Sequence, residues 1–191
     1  MAIVLASQSP RRQELLARIG VEDFKTLSLD IDESYPEGLS PEDTVRYIAK
    51  KKCDAAAALC SPDDLIITAD TMVFLGNDRL GKPRDEEDAL RMLRALSGRG
   101  HTVCTGVSVR RGAQEERFAV STRVFFRPMT DDEIRAYIKT GEPMDKAGAY
   151  GVQSRGALFV ERIDGDFYNV MGLPVEKLGQ CLTKHFGVRF F

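Results

Sequence analysis

Apolar and polar positions along this chain switch repeatedly between strand-like and helix-like spacing. Ile3 to Leu5 is a short apolar run that predicts a strand. It gives way to small polar residues and then Pro10, which suits a first helical turn because its missing N–H has no partner there in any case. Ser9 is the expected N-cap, and Gln13 to Ile19 keep helical spacing until Gly20. Phe24 to Leu29 predicts a second short strand. Ser40, Pro41 and Asp43 open a long helix running to about Cys60. Leu65 to Leu75 predicts an apolar strand interrupted by Asp70 and Thr71, with a turn at Gly76-Asn77-Asp78. Asp85 to Leu96 has amphipathic helical spacing ended by Ser97-Gly98. Thr102 to Arg111 and Phe118 to Phe126 predict two long strands joined across Gly112. Thr130 with Glu133 forms a capping box for a helix to about Thr140. Gly141 to Arg155, rich in glycine and short polar side chains, predicts a functional loop. Ala157 to Ile163 predicts a strand and Pro174 to Phe186 a closing helix.

Hairpin-like strands in the middle and helix-separated strands elsewhere predict an α/β chain with a mixed sheet. No repeat, linker or low-complexity tract divides the 191 residues, so one domain or two small lobes are expected. Ligands in such folds gather where strands end and loops converge.

Composition removes several functional classes. The net charge of −2 supplies no global basic field for a nucleic-acid backbone, so any anion site must be local. No apolar run approaches the roughly 20 residues of a membrane span. The apolar start, Met1 to Leu5, is too short for the core of a signal peptide. Cys53, Cys60, Cys104 and Cys181 form no CxxC pair; free thiols in a reducing cytoplasm are expected, and no zinc site.

Candidate chemistry begins at Leu5 to Arg12. Ser7, Ser9, Arg11 and Arg12 lie where a strand hands over to a helix N-terminus. Free N–H groups, the helix dipole and guanidinium groups there suit an anion, phosphate above all. An ordinary cap with two solvated arginines has the same pattern. Asp70 interrupts an apolar strand, and a buried carboxylate is costly unless paired, hydrogen-bonded or bound to metal. The alternative is a strand-end aspartate facing solvent or tied to an arginine. Glu33, in the acidic run Asp30 to Ser34, could join Asp70 in holding a hard divalent cation; acidic loops are also commonly just solvated. Lys50, Lys51 and Lys52 form a basic run on the long helix, of which one can point away from solvent. Lys82 is held between Gly81 and Pro83, a stiff presentation of one ammonium. His101 and His185 lack a partnered motif and are expected to be structural, and no Walker loop or GxGxxG appears.

Together these motifs resemble the Maf family of nucleoside triphosphate pyrophosphatases. The resemblance rests on Leu5 to Arg12, Asp32-Glu33, Ala49 to Lys52, Ala69-Asp70-Thr71, Gly81-Lys82-Pro83, Leu96 to Arg99 with His101, and Thr105-Gly106. It continues through Gly141-Glu142-Pro143, Asp145 to Gly151 with Gln153, and Asn169 to Pro174. One departure is Ser121-Thr122, where many members carry Glu before Thr.

The resemblance implies one domain over residues 1–191, with a two-lobed, inosine-triphosphatase-like α/β fold. A central mixed twisted sheet, flanking helices and an active-site cleft belong to it. It implies hydrolysis of a nucleoside triphosphate between the α- and β-phosphates, with Asp70 as proton acceptor and a divalent metal, Mg2+ or Mn2+, held by Glu33 and Asp70. Ser7, Arg12, Lys52 and Lys82 would bind phosphate. Arg11, Thr71 and Gln153 occupy the positions that separate subgroups by base, and this trio looks like the dTTP/UTP subgroup. The subgroup preferring 7-methyl-GTP typically carries an aromatic in place of Arg11 and Glu in place of Gln153. The Gln153 amide, both donor and acceptor, suits the acceptor–donor–acceptor edge of uracil or thymine. A homodimer in the cytoplasm is expected, with no nucleic-acid or membrane partner. The alternatives are the same reaction on another base, such as CTP or a modified purine, or a nucleotide-binding regulator of cell division with little turnover.

Overall fold

The structure, a computed structural model, describes residues 2–191. In chain order the elements are β1 (Ile3–Leu5), α1 (Pro10–Arg18), β2 (Phe24–Thr26), α2 (Pro41–Ala57), β3 (Leu65–Leu75) and β4 (Asp78–Leu80). Next come α3 (Glu86–Leu96), β5 (Gly100–Arg111), β6 (Gln114–Phe126) and α4 (Asp131–Ile138). Three 3-10 turns, Glu142–Asp145, Ala147–Ala149 and Arg155–Phe159, lead to β7 (Val160–Asp164), α5 (Phe167–Met171) and α6 (Val175–Phe186). The strands run in the order β2-β1-β3-β5-β6-β7, with β4 paired to β3.

Contacts group the chain into two compact units. The first comprises residues up to Asp70, Thr105–Val120 and Gly172–Phe191. Here β1 lies between β2 and β3, parallel to both, with Ile3 opposite Phe24 and Leu65. Parallel pairing needs crossovers, and α1 and α2 provide them. Leu15, Leu16, Val45, Ile48, Leu65 and Ile67 are buried as the apolar faces of these elements close on the sheet. The approach is very tight at Gly106 of β5. A Cβ there would lie 2.3 Å from the Val45 carbonyl, so only glycine fits. The second unit comprises Thr71–Cys104 and Ser121–Met171. Its centre is aromatic: Phe126 packs edge-on against His101 and Tyr150, and Phe159 against Tyr137.

Capping follows the sequence at three helices. Ser40 accepts from the Asp43 N–H, Asp85 from the Asp88 N–H, and Thr130 with Glu133 completes a capping box. Several element bounds depart from expectation. The second strand stops at Thr26, not Leu29, because the three-residue β1 has no partner to offer beyond Leu5. Leu27 and Leu29 instead pack against Ala6, Cys53, Ala56 and Ile66. The last strand starts at Val160, because residues 155–159 coil into a 3-10 turn that buries Phe159 and leaves Leu158 exposed. The long hairpin is longer than its apolar alternation suggests, starting at Gly100 and resuming at Gln114, because backbone pairing continues into its polar ends. Short β4 and α5 carry too few residues to show a period. The five-residue α5 is set by Asp166, whose carboxylate accepts from the Tyr168 and Asn169 N–H groups.

Candidate active site

The site is built at the carboxyl end of β1. That strand ends at Leu5, and the chain turns through Ser7 into α1. Ser9 has the extended backbone of an N-cap, but its side chain makes no capping hydrogen bond, contrary to expectation. The Ser9 N–H donates instead to the Ser7 hydroxyl at 3.2 Å. The start of α1 thus has no Ser9 side-chain bond, and it carries the positive end of the helix dipole. Arg12 donates through Nη1 to the Ser7 hydroxyl at 3.3 Å and through Nε to the Gly172 carbonyl at 2.8 Å. Burial pushes its guanidinium below its ordinary pKa, while the charge of Asp70 pulls it back up. Arg11, the next residue out, is half-buried. Gly172 contributes only a carbonyl, so no side-chain pattern points to its role.

Asp70 and Lys52 face each other. Asp70 is only 6% exposed, on a strand that is buried along almost its whole length. Lys52 donates to Asp70 Oδ1 at 2.8 Å and reaches Glu33 Oε1 at 2.9 Å. The other Asp70 oxygen, Oδ2, is buried without a hydrogen-bond partner. The three adjacent lysines part because successive helical residues point about 100° apart. Lys50 pairs with Asp54 and Lys51 with Asp32, both toward solvent, and only Lys52 turns inward. The long helix is held for this by the Thr68 hydroxyl, which donates to the Ala49 carbonyl at 2.7 Å, and by the contact at Gly106.

Among the described residues no group of three or more His, Cys, Asp or Glu side chains could enclose a metal. The donor set is smaller: Glu33 and Asp70 share one ammonium, so a cation already stands at their meeting point. Two carboxylates, one with a buried free oxygen, suit a magnesium-type ion that takes its remaining oxygens from phosphate and water.

The other sequence-selected residues lie in the second unit. Thr71 follows Asp70 on β3, half-buried, with its side chain on the opposite face. Lys82 is exposed, and the Gly81 carbonyl before it accepts from the Gly148 N–H at 3.1 Å, which fixes the Gly-Lys-Pro turn. Gln153 is exposed at a turn after the second 3-10 segment. His101 is buried, and its Nε2 meets the Tyr150 hydroxyl at 2.8 Å. Burial drives its pKa down to about 4.

The architecture is that of known mixed α/β proteins. A HAM1 protein from Coxiella burnetii superposes with a TM-score of 0.56, covering 96% of this chain and 99% of that one, at 14% identity. That likeness fixes the fold class alone. Residues 2–185 match the family described as Maf-like protein, and the chain belongs to that family. It is 48% identical to a Bacillus velezensis protein named dTTP/UTP pyrophosphatase, over 98% of this chain and 97% of the relative. A Bacteroides thetaiotaomicron protein of the same name is 46% identical, over 95% of each chain.

Proposed function

We propose that this chain hydrolyses dTTP and UTP, and related modified pyrimidine nucleotides, to the nucleoside monophosphate and pyrophosphate. One observation carries the reading: a buried carboxylate, Asp70, held by Lys52 on one oxygen and free on the other, with Arg12 at the start of α1 close enough to feel its charge. The near-full-length identity to relatives named dTTP/UTP pyrophosphatase supports the choice of substrate.

In this reading Asp70 Oδ2 accepts the proton of the water that attacks the α-phosphorus, and the pyrophosphate leaves. Lys52 orients Asp70 through Oδ1 and, with Arg12 and Lys82, neutralises the phosphate oxygens. The Ser7 hydroxyl and the first amides of α1 bind phosphate as donors. Glu33 and Asp70 would hold Mg2+ or Mn2+, which supplies further positive charge to the phosphate oxygens. Arg11, Thr71 and Gln153 read the base. The protein acts as a single Maf-like domain over residues 1–191, a homodimer in the cytoplasm, with the nucleotide and no nucleic acid or membrane as partner. The net charge of −2 supplies no global basic field for a nucleic-acid backbone, and among the described residues no helix is long and apolar enough to cross a membrane.

The test is a panel of nucleoside triphosphates with magnesium or manganese, scored for pyrophosphate. The expected outcome is release from dTTP and UTP well above that from GTP and ATP. Phosphate in place of pyrophosphate, or no release at all, overturns the reading.

A further inference from the structure

Exposed Gln153 is presented by a turn whose two flanks are fastened, directly or through Tyr137, to one side chain. Glu142 opens the first 3-10 turn, just beyond α4. Its Oε1 accepts from the Tyr137 hydroxyl at 2.8 Å, the Ser154 hydroxyl at 2.7 Å and the Gly156 N–H at 3.1 Å. Its Oε2 accepts from the Arg155 N–H at 3.3 Å. The Tyr137 hydroxyl, its proton given to Glu142, accepts in turn from the Gly151 N–H at 3.2 Å. The chain before Gln153 is thus held through Tyr137, and the chain after it directly by Glu142. Burial works against charge on Glu142, but these hydrogen bonds win and hold its pKa below the ordinary value.

The surroundings leave this turn little freedom. Lys146 donates from Nζ to the Glu142 carbonyl at 2.7 Å, and its stem covers Gly151, where a Cβ would come within 3.0 Å of Lys146 Cε. A Cβ on Gly156 would lie 2.6 Å from the Gly151 carbonyl oxygen. Just upstream Ala149 is held at φ 61°, a left-handed conformation that a residue with a side chain keeps only where its neighbours over-determine it. The four hydrogen bonds to the Glu142 carboxylate come from neutral donors, and the segments they fasten lie on either side of exposed Gln153.

We propose that Glu142 is a positioning residue for base recognition, fixing the turn Gly151–Gly156 so that the Gln153 amide is offered in a single orientation. This rests on the function proposed above. A fixed amide loses less entropy on binding, and it penalises a base whose donors and acceptors do not match.

The experiment compares kcat and KM for dTTP and GTP in the wild type, Glu142→Ala, Ser154→Ala, Gln153→Ala and the double variant Glu142→Ala/Gln153→Ala. Glu142→Ala should lower the dTTP-over-GTP ratio of kcat/KM about tenfold, chiefly through the KM for dTTP. In the Gln153→Ala background it should lower that ratio no further. Ser154→Ala, which removes one of the bonds, should move the ratio the same way by less. Hydrogen exchange at Gly151, Arg155 and Gly156 should quicken in Glu142→Ala. A retained ratio in folded Glu142→Ala overturns the role, as does an equal fall with Gln153 already replaced. Should Glu142→Ala fail to fold, an unchanged ratio in Ser154→Ala overturns it. A wild type with no pyrophosphate release, or no preference for dTTP, removes the proposed function and this role with it. A wild-type preference that the Glu142 variant keeps removes the role alone.

Discussion

Two carboxylates in this chain are bonded in opposite ways. Asp70 takes one hydrogen bond from a half-buried ammonium and leaves its second oxygen bare. Glu142 takes four, all from neutral donors, using both oxygens. An unsaturated buried carboxylate keeps a lone pair for a proton or a cation, and its burial is costly unless something arrives to use it. A saturated carboxylate has no capacity left and serves as an anchor. The same contrast separates their neighbourhoods: charge surrounds Asp70, whereas the second unit gathers aromatic rings and backbone amides.

The sharpest way to break this comparison is Asp70→Asn. It keeps the shape and removes the carboxylate that takes up the proton, so turnover should fall about 10²–10⁴-fold in a protein with an unchanged circular dichroism spectrum. Near-normal pyrophosphate release would leave Asp70 a mere partner of Lys52. Next in size are the cations. Lys52→Ala leaves Asp70 and Glu33 facing each other without their shared ammonium, and kcat/KM for dTTP should drop roughly 10–100-fold. Lys82→Ala, at an exposed turn, should cost less and mostly in KM. If both variants turn over dTTP like the wild type, phosphate is bound elsewhere.

Base choice comes third. Gln153→Glu exchanges a donor for a second acceptor at equal size, leaving one polar pair facing acceptor to acceptor at a cost of about 1–3 kcal/mol. Its kcat/KM for dTTP and UTP should fall roughly one to two decades, with 7-methyl-GTP affected less or improved. An unchanged preference measured on these three substrates would take Gln153 out of the base site.

A further effect, on stability and not on turnover, lies in acid. Buried His101 has its pKa lowered to about 4 in the fold, so below its ordinary range the unfolded chain binds a proton that the folded chain refuses. Stability should therefore be full above about pH 6.5 and decline as pH falls toward 4, by about 3 kcal/mol across that window. Denaturant unfolding at a series of pH values measures the slope. His101→Gln, which does not titrate there, should flatten it, and equal slopes would show that the decline comes from carboxylates.

Much of this was legible in the sequence. The N-caps at Ser40 and Thr130, the long hairpin, the interruption of β3 by Asp70 and the stiff Gly-Lys-Pro turn follow from local rules of spacing and side-chain bonding. What local rules missed were features with no period of their own. The five-residue α5 is set by the Asp166 carboxylate, the three-residue β4 by its hairpin with β3, and the 3-10 coil at 155–159 by bonds from Arg155 and Gly156 to Glu142. Ser9 holds the N-cap position the sequence assigns it, with extended backbone and its carbonyl accepting from the Gln13 N–H, but its hydroxyl makes no bond to the helix.

The chain by itself determined which residues could carry charge into an apolar setting. It placed Asp70 within a strand, one lysine of three on the inner face of α2, and Arg12 at a helix start, since helical and strand periods are properties of neighbours in sequence. Only the tertiary structure decided how those charges are met. That Lys52 spans Asp70 and Glu33, that Gly172 lends a carbonyl to Arg12, and that Glu142 gathers Tyr137, Ser154, Arg155 and Gly156 depend on long-range closure. A side chain's spacing gives its direction, but its partners are set by what the rest of the fold brings opposite it.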